Sequence, residues 1–179
     1  MIMTSTRRIL CYGAPSSGKS TMSALIFAKL KLKGKNAELV QEFAKTLVWK
    51  SIDIKAGGDT LQLEIFLNQM KQEQDLEGRV EYMVSDSPLL LNAYYGKSEL
   101  TKQIARAKIS SDDFHFWLTR TNVKFEAAGR IHDEEESKNI EIEMVKFLKD
   151  SGVNLIIVDA DIDKRADWIV DYVLKATGK

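Results

Sequence analysis

Residues Gly13 to Ser20 read GAPSSGKS, and the fold is read outward from this octapeptide. The spacing GxxxxGK[ST] is that of a loop whose glycines let backbone amides converge on phosphate oxygens. A lysine at its end reaches the β and γ phosphates, and the following hydroxyl ligates magnesium. Here those two residues are Lys19 and Ser20. The candidate set for holding the triphosphate of ATP or GTP is Gly13, Ala14, Pro15, Ser16, Ser17, Gly18, Lys19, Ser20 and Thr21. A plain glycine-rich turn would leave Lys19 without a purpose. The context agrees: the apolar run Arg8–Tyr12 leads into the loop, and Lys19–Lys33 carries Leu25, Ile26, Leu30 and Leu32 before Gly34 offers a helix stop. Strand, loop and helix follow one another, and the helix adds the positive end of its dipole to the anion site.

The same alternation continues down the chain. Further strands are expected at Ala37–Glu42, Val80–Ser85, Phe114–Thr119 and Asn154–Val158, the last being the most apolar. A less regular stretch through Gly57 and Gly58 precedes a helix beginning near Asp59. Asp59 and Gln62 there have capping-box spacing, and Leu63, Phe66, Leu67 and Met70 fall on one helical face. A mostly polar helical region runs towards Ser110. Asp133 and Glu136 repeat the capping-box spacing before a helix bearing Ile140, Met144, Phe147 and Leu148. Ala166, Ile169, Val170, Val173 and Leu174 mark a last helix. Five strand-like runs separated by helices predict an α/β fold, a parallel sheet covered on both faces.

The 179 residues suit one domain with a substantial core. No stretch approaches the roughly 18 uncharged residues that span a bilayer, and MIMTSTRRIL lacks the apolar segment of a signal peptide. A soluble, cytoplasmic protein is expected. The lone Cys11 lies inside the first apolar run, where a buried thiol is expected, and with two separate histidines it offers no zinc constellation. Lys plus Arg equal Asp plus Glu at 26 each, so no overall positive field draws the chain to phosphate polymers, although a local groove could still be basic.

A phosphate loop needs a carboxylate at the end of a neighbouring strand to organise magnesium. Asp86, closing the run YMVSD, fills that place; the alternative is a helix or turn cap. With GAPSSGKS, the segments VQEFAK (Val40–Lys45), SDSPLLL (Ser85–Leu91) and LTR (Leu118–Arg120) followed by GRIHDEEES (Gly129–Ser137) stand in an order that resembles P-loop nucleoside and nucleotide kinases. The likeness covers most of the chain and is greatest for nicotinamide-riboside-kinase-like proteins of the bacteriophage type.

That resemblance implies a five-stranded sheet in the order 2-3-1-4-5, a lid over approximately 120–136, and ATP with Mg2+ as cofactors. It implies that Glu42 ends the second strand as the base that takes the acceptor hydroxyl's proton. Enzymes of that kind usually follow this glutamate with proline, whereas Phe43 follows here; Glu42 could equally cap a helix, and Asp86 could itself be the base. Arg120 and Arg130 are the implied lid arginines, with Lys124 in support, closing over the transferred phosphoryl group. The alternative is a solvated basic loop paired with Asp133 to Glu136. Trp49, Gln69, Tyr94 and Tyr95 lie in segments that would line the acceptor pocket. His115, between Phe114 and Phe116, is expected to be structural, and His132 falls on the lid.

Three functional readings follow. The first is transfer of the γ-phosphoryl group to a hydroxyl of a nucleoside, nucleotide or related small molecule, a step in nucleotide metabolism. The second keeps the chemistry and takes DNA as acceptor, at a polynucleotide end or a hydroxymethylated base. The third is a nucleotide switch or ATPase acting on a protein partner; the NKxD element of GTPases and a helical second domain of the AAA+ kind are not found in the sequence. Neither the oligomeric state nor the choice between ATP and GTP is written in these motifs.

Overall fold

The computed structural model describes residues 5–15, 17–119, 134–159 and 162–178. Five strands, β1 (Arg7–Tyr12), β2 (Ala37–Val40), β3 (Tyr82–Ser85), β4 (Phe114–Leu118) and β5 (Leu155–Val158), form one sheet in the order β2-β3-β1-β4-β5. Every pairing is parallel. The connecting helices are α1 (Lys19–Leu32), α2 (Phe43–Trp49), α3 (Gly58–Leu76), α4 (Leu89–Gly96), α5 (Glu99–Ala107), α6 (Glu134–Asp150) and α7 (Ile162–Ala176). The expected order 2-3-1-4-5 is the observed one.

Alternation along β1 divides the core. Ile9 and Cys11 point to one face, where Met22, Ile26 and Leu30 of α1 meet Ile169, Val170 and Val173 of α7. Leu10 and Tyr12 point to the other, against Phe66 of α3, Leu90 of α4 and Met144 and Leu148 of α6. Each fully buried aliphatic side chain contributes about 1.5–3 kcal/mol relative to exposure. Ile9, Ile26, Leu30 and Leu148 are all without accessible surface.

Several local expectations are corrected. β2 stops at Val40, and the chain turns at once into α2, a short helix absent from the sequence reading. With only Leu47 of α2 buried, its apolar signal is weak; it is held by a small cluster of Leu47, Ile54 and Ile65 beside Phe43, Val48 and Leu61. The N-cap of α3 is Gly57, without a side-chain cap, so Asp59 lies in the first turn and not in a capping box. The buried face of α3 comprises Ile65, Phe66, Gln69 and Glu73, leaving Leu63 and Leu67 exposed. Polar contacts turned that face: Phe43 N donates to Gln69 Oε1 at 3.4 Å, and Glu73 lies 3.9 Å from Arg8. On α1, Leu25 and Leu32 are likewise exposed. The polar region before Ser110 is two helices, broken where Lys97 adopts φ 55°. β5 is apolar yet lies at the sheet edge, with Ile157 59% exposed.

A second buried feature lies at the amino ends of the strands. Asp113, just before β4, accepts from Arg8 Nε at 2.7 Å and Nη2 at 2.6 Å, and from the Ser110 amide at 2.8 Å. Arg8 also donates to the Lys108 carbonyl. Nearby, Tyr12 Oη and His115 Nδ1 are 3.1 Å apart. Burial lowers the His115 imidazole to about 4 against the pull of Asp113, and burial lifts the Glu73 carboxyl to about 8 although Arg8 opposes it. The structural role expected for His115 accords with this burial.

Candidate functional site

At the carboxyl end of β1 the chain enters the glycine-rich loop, and two glycines are required there for different reasons. A Cβ on Gly13 would fall on Ser17 Oγ and lie 3.0 Å from the Leu118 carbonyl oxygen, so the loop and the end of β4 can approach only if residue 13 is glycine. Gly18, the N-cap of α1, has φ 82°, a left-handed conformation that costs glycine little. It has open space around it, so conformation alone sets the requirement. The first turn of α1 has no side-chain cap and no acidic residue, leaving its amides and dipole available to an anion. Lys19 Nζ donates to the carbonyls of Gly13 at 2.9 Å and Ala14 at 3.1 Å, which holds the ammonium over the loop.

Parallel pairing brings a carboxylate alongside. Leu10 of β1 is in register with Ser85 of β3, so the next residue, Asp86, stands at the root of the loop beside Cys11. The thiol of Cys11 registers both neighbours: burial pushes it up to about 12, with Asp86 raising it further and Lys19 opposing. Asp86 is 4% exposed, and its Oδ1 has no hydrogen-bond partner among the described residues. It does not cap α4, whose N-cap is Pro88. The turn carrying it is fixed by its neighbours. The Ser87 amide donates to Ser85 Oγ at 3.3 Å, and Asn92 Nδ2 donates to the carbonyls of Ser87 and Pro88 at 2.9 and 3.2 Å. A buried carboxylate oxygen lacking a partner, just past the strand paired with the one that leads into α1, is the donor chemistry a hard divalent cation takes. Ser20 and Asp86 therefore fit magnesium. No cluster of three or more His, Cys, Asp or Glu side chains suited to a metal occurs among the described residues.

From Pro15 and Lys19 a cavity of about 400 Å³ extends past Glu42 between α2, α3 and α4 to Tyr95 and Lys97. Glu42 occupies the N-cap position of α2 but makes no side-chain cap bond to it. Lys19, Glu42 and Tyr95 thus share one cavity, to which Ser87 and Asn92 also contribute.

The other sequence candidates lie elsewhere. Trp49 is 70% exposed and does not line the cavity. Gln69 is fully buried and braces the start of α2. Tyr94 donates to Glu143 at 3.0 Å and packs on Phe147; burial first, then Glu143, pushes its phenol up to about 12. Ser16, Arg120, Lys124, Arg130, His132 and Asp133 lie outside the described residues. Sequence reading passed over Asn92, whose signal is its spacing four residues after Pro88, and Lys45, Lys55 and Lys97, which join only through the fold.

A family model described as an AAA domain matches residues 8–165. Among solved structures, an APS kinase from Mycobacterium tuberculosis has a TM-score of 0.53 at 14% identity, covering 95% of this chain and 99% of that one. A shikimate kinase from Acinetobacter baumannii in complex with shikimate has a TM-score of 0.53 at 9% identity, with 97% and 94% covered. A deoxyadenosine kinase from M. mycoides, with products bound, has a TM-score of 0.50 at 16% identity, with 96% and 98% covered. At these identities the likeness is one of fold. No curated protein matches the chain, and no described helix is long and apolar enough to cross a membrane.

Proposed function

The chain belongs to the AAA domain family, and on that footing we propose that it is an ATP- and magnesium-dependent phosphotransferase that moves the γ-phosphoryl group to a hydroxyl of a small molecule. The observation that carries this reading is the cavity shared by Lys19 of the phosphate loop and Glu42 at the N-cap of α2. A switch driven by hydrolysis needs no acceptor-sized cavity opening on its phosphate loop. That the similar solved structures include an APS kinase, a shikimate kinase and a deoxyadenosine kinase supports the same reading.

In this account the loop amides and the first turn of α1 bind the β and γ phosphates, and Lys19 leaves its two carbonyl partners to follow the charge that spreads over the transferred group. Magnesium, held by Ser20 and Asp86, would neutralise phosphate charge. Glu42 accepts the acceptor's hydroxyl proton as that oxygen forms its bond to γ-phosphorus; the bond from γ-phosphorus to the bridging oxygen breaks, and ADP leaves with the electron pair. Glu42 is preferred to Asp86 as base because Glu42 lines the cavity and Asp86 does not.

The test is transfer of label from γ-labelled ATP with magnesium to a panel of nucleosides, their monophosphates, nicotinamide riboside and DNA with and without hydroxymethylated bases. Label on a small acceptor, lost in Lys19→Ala and strongly reduced in Glu42→Gln, is the expected result. ATP hydrolysis with label released only as inorganic phosphate, whatever the acceptor, contradicts it.

A further inference from the structure

The acceptor cavity is lined by four lysines, Lys19, Lys45, Lys55 and Lys97, against two carboxylates, Glu42 and Asp59. If Lys19 attends the donor phosphates and Glu42 the acceptor hydroxyl, three cations and one anion are left for the remainder of the acceptor. We infer that the acceptor carries a phosphate of its own, and that Lys45, Lys55 and Lys97 bind it. The inference rests on the phosphotransferase reading for which hydroxyl is phosphorylated, and on the cavity alone for the anion.

Away from the cavity some lysines have carboxylate partners, Lys29 with Asp167 at 2.7 Å, Lys33 with Asp171 at 3.6 Å and Lys102 with Glu99 at 3.6 Å, and others, such as Lys35, Lys50 and Lys71, have none among the described residues but line no cavity. Lys45, Lys55 and Lys97 have no ion pair and no side-chain hydrogen bond among the described residues, although they surround a shared concavity. Lys45 is half-buried and Lys55 and Lys97 are exposed at the rim, and like charges placed around one concavity focus positive potential inside it. They also come from three separate elements. Lys45 stands on α2, Lys97 follows α4, and Lys55 sits in the turn between α2 and α3, where the Ala56 amide donates to Asp53 Oδ1 at 3.1 Å. Helical spacing therefore cannot account for their lining one cavity. The end of α4 attracts a cation, which suits Lys97 alone and leaves the other two unaccounted for. A volume of about 400 Å³ lies in the range that encloses a small organic ligand, with the Tyr95 ring in its lining, and favours a mononucleotide-sized anion over a polymer.

The experiment is isothermal titration of four deoxynucleosides, their 5′-monophosphates and a hexadeoxynucleotide into the protein loaded with magnesium and a non-hydrolysable ATP analogue. The expected result is at least one monophosphate binding tenfold or more tightly than its nucleoside. That advantage should vanish in the Lys45→Ala, Lys55→Ala, Lys97→Ala triple variant, while affinity for the ATP analogue stays unchanged. Lys55→Ala alone, an exposed replacement, gives an intermediate loss and keeps the test valid if the triple variant folds poorly. Equal affinity for nucleoside and monophosphate, no binding of any monophosphate, or binding of the hexanucleotide alone overturns the inference. The two readings fail separately. Tight monophosphate binding without phosphate transfer defeats the phosphotransferase and leaves the lysine site, whereas transfer to nucleosides with no preference for monophosphates does the reverse.

Discussion

Two buried aspartates stand at opposite ends of the same parallel sheet. Asp113, at the amino end of β4, accepts bonds from both Arg8 Nε and Arg8 Nη2 and from a backbone amide. Asp86, just past the carboxyl end of β3, is buried too, yet its Oδ1 has no partner among the described residues. A buried carboxylate with its bonds made holds structure together; one left unsatisfied costs the fold about 1–3 kcal/mol. Such a cost is tolerated where something outside the chain supplies the missing partner, and Asp86 follows the strand that pairs with β1, from which the phosphate loop leaves. Unpartnered atoms occur at the Asp113 end as well, Glu73 Oε1 and His115 Nε2 among them, so it is the phosphate loop following the strand paired with β3, together with the missing partner, that marks the end at Asp86 as the chemical one in this account.

The largest effect that sharpens this contrast is expected from Lys19→Ala. Removing the ammonium over the loop should lower kcat/KM by about 10³-fold, with the thermal midpoint near that of wild type. Asp113→Asn should act in the opposite sense, destabilising the fold by about 2 kcal/mol in denaturant titrations, because it weakens the charge-assisted bonds of the half-buried Arg8, while activity per folded molecule is retained. Asp86→Asn should lower turnover by about 10²-fold and leave stability unchanged or raised by about 1 kcal/mol, since an amide tolerates burial better than an unpaired carboxylate.

The smallest effect is a pH dependence. Glu73, raised to about 8 from 4.5, binds more protons folded than unfolded between those values, so its contribution falls as pH rises through that window. His115, lowered to about 4 from 6.5, binds fewer protons folded than unfolded between 4 and 6.5, so its contribution rises with pH there. The two oppose each other between pH 4.5 and 6.5, and from 6.5 to 8 only the loss from Glu73 acts. Stability should decline across that upper window by about 1–2 kcal/mol, and Glu73→Gln should flatten the decline.

The strands were legible because each is an apolar run next to a phosphate loop, a turn or a helix stop, and their order followed from the resemblance to P-loop kinases. The place of Asp86, directly after a strand that pairs with β1, was legible on the same resemblance. The buried face of α3 was not, since Gln69 and Glu73 are buried by partners distant in sequence, Phe43 and Arg8, and hydrophobic periodicity does not register such partners. Nor was α2, whose single buried residue gives periodicity little to register. Of the residues lining the cavity beyond the phosphate loop, the sequence reading singles out only Glu42 and Tyr95 as site candidates. Lys45, Lys55 and Lys97 read singly as surface charges and acquire a shared meaning when α2, the turn after it and α4 converge.

The most direct measurement is single-turnover phosphate transfer from γ-labelled ATP with magnesium by wild type, Asp86→Asn and Asp113→Asn, each paired with its unfolding midpoint. Transfer lost at Asp86 with the midpoint kept, and the midpoint lost at Asp113 with transfer kept, is the result the account predicts. Full transfer by Asp86→Asn would contradict it, for the chemical end of the sheet would then not depend on the carboxylate that distinguishes it.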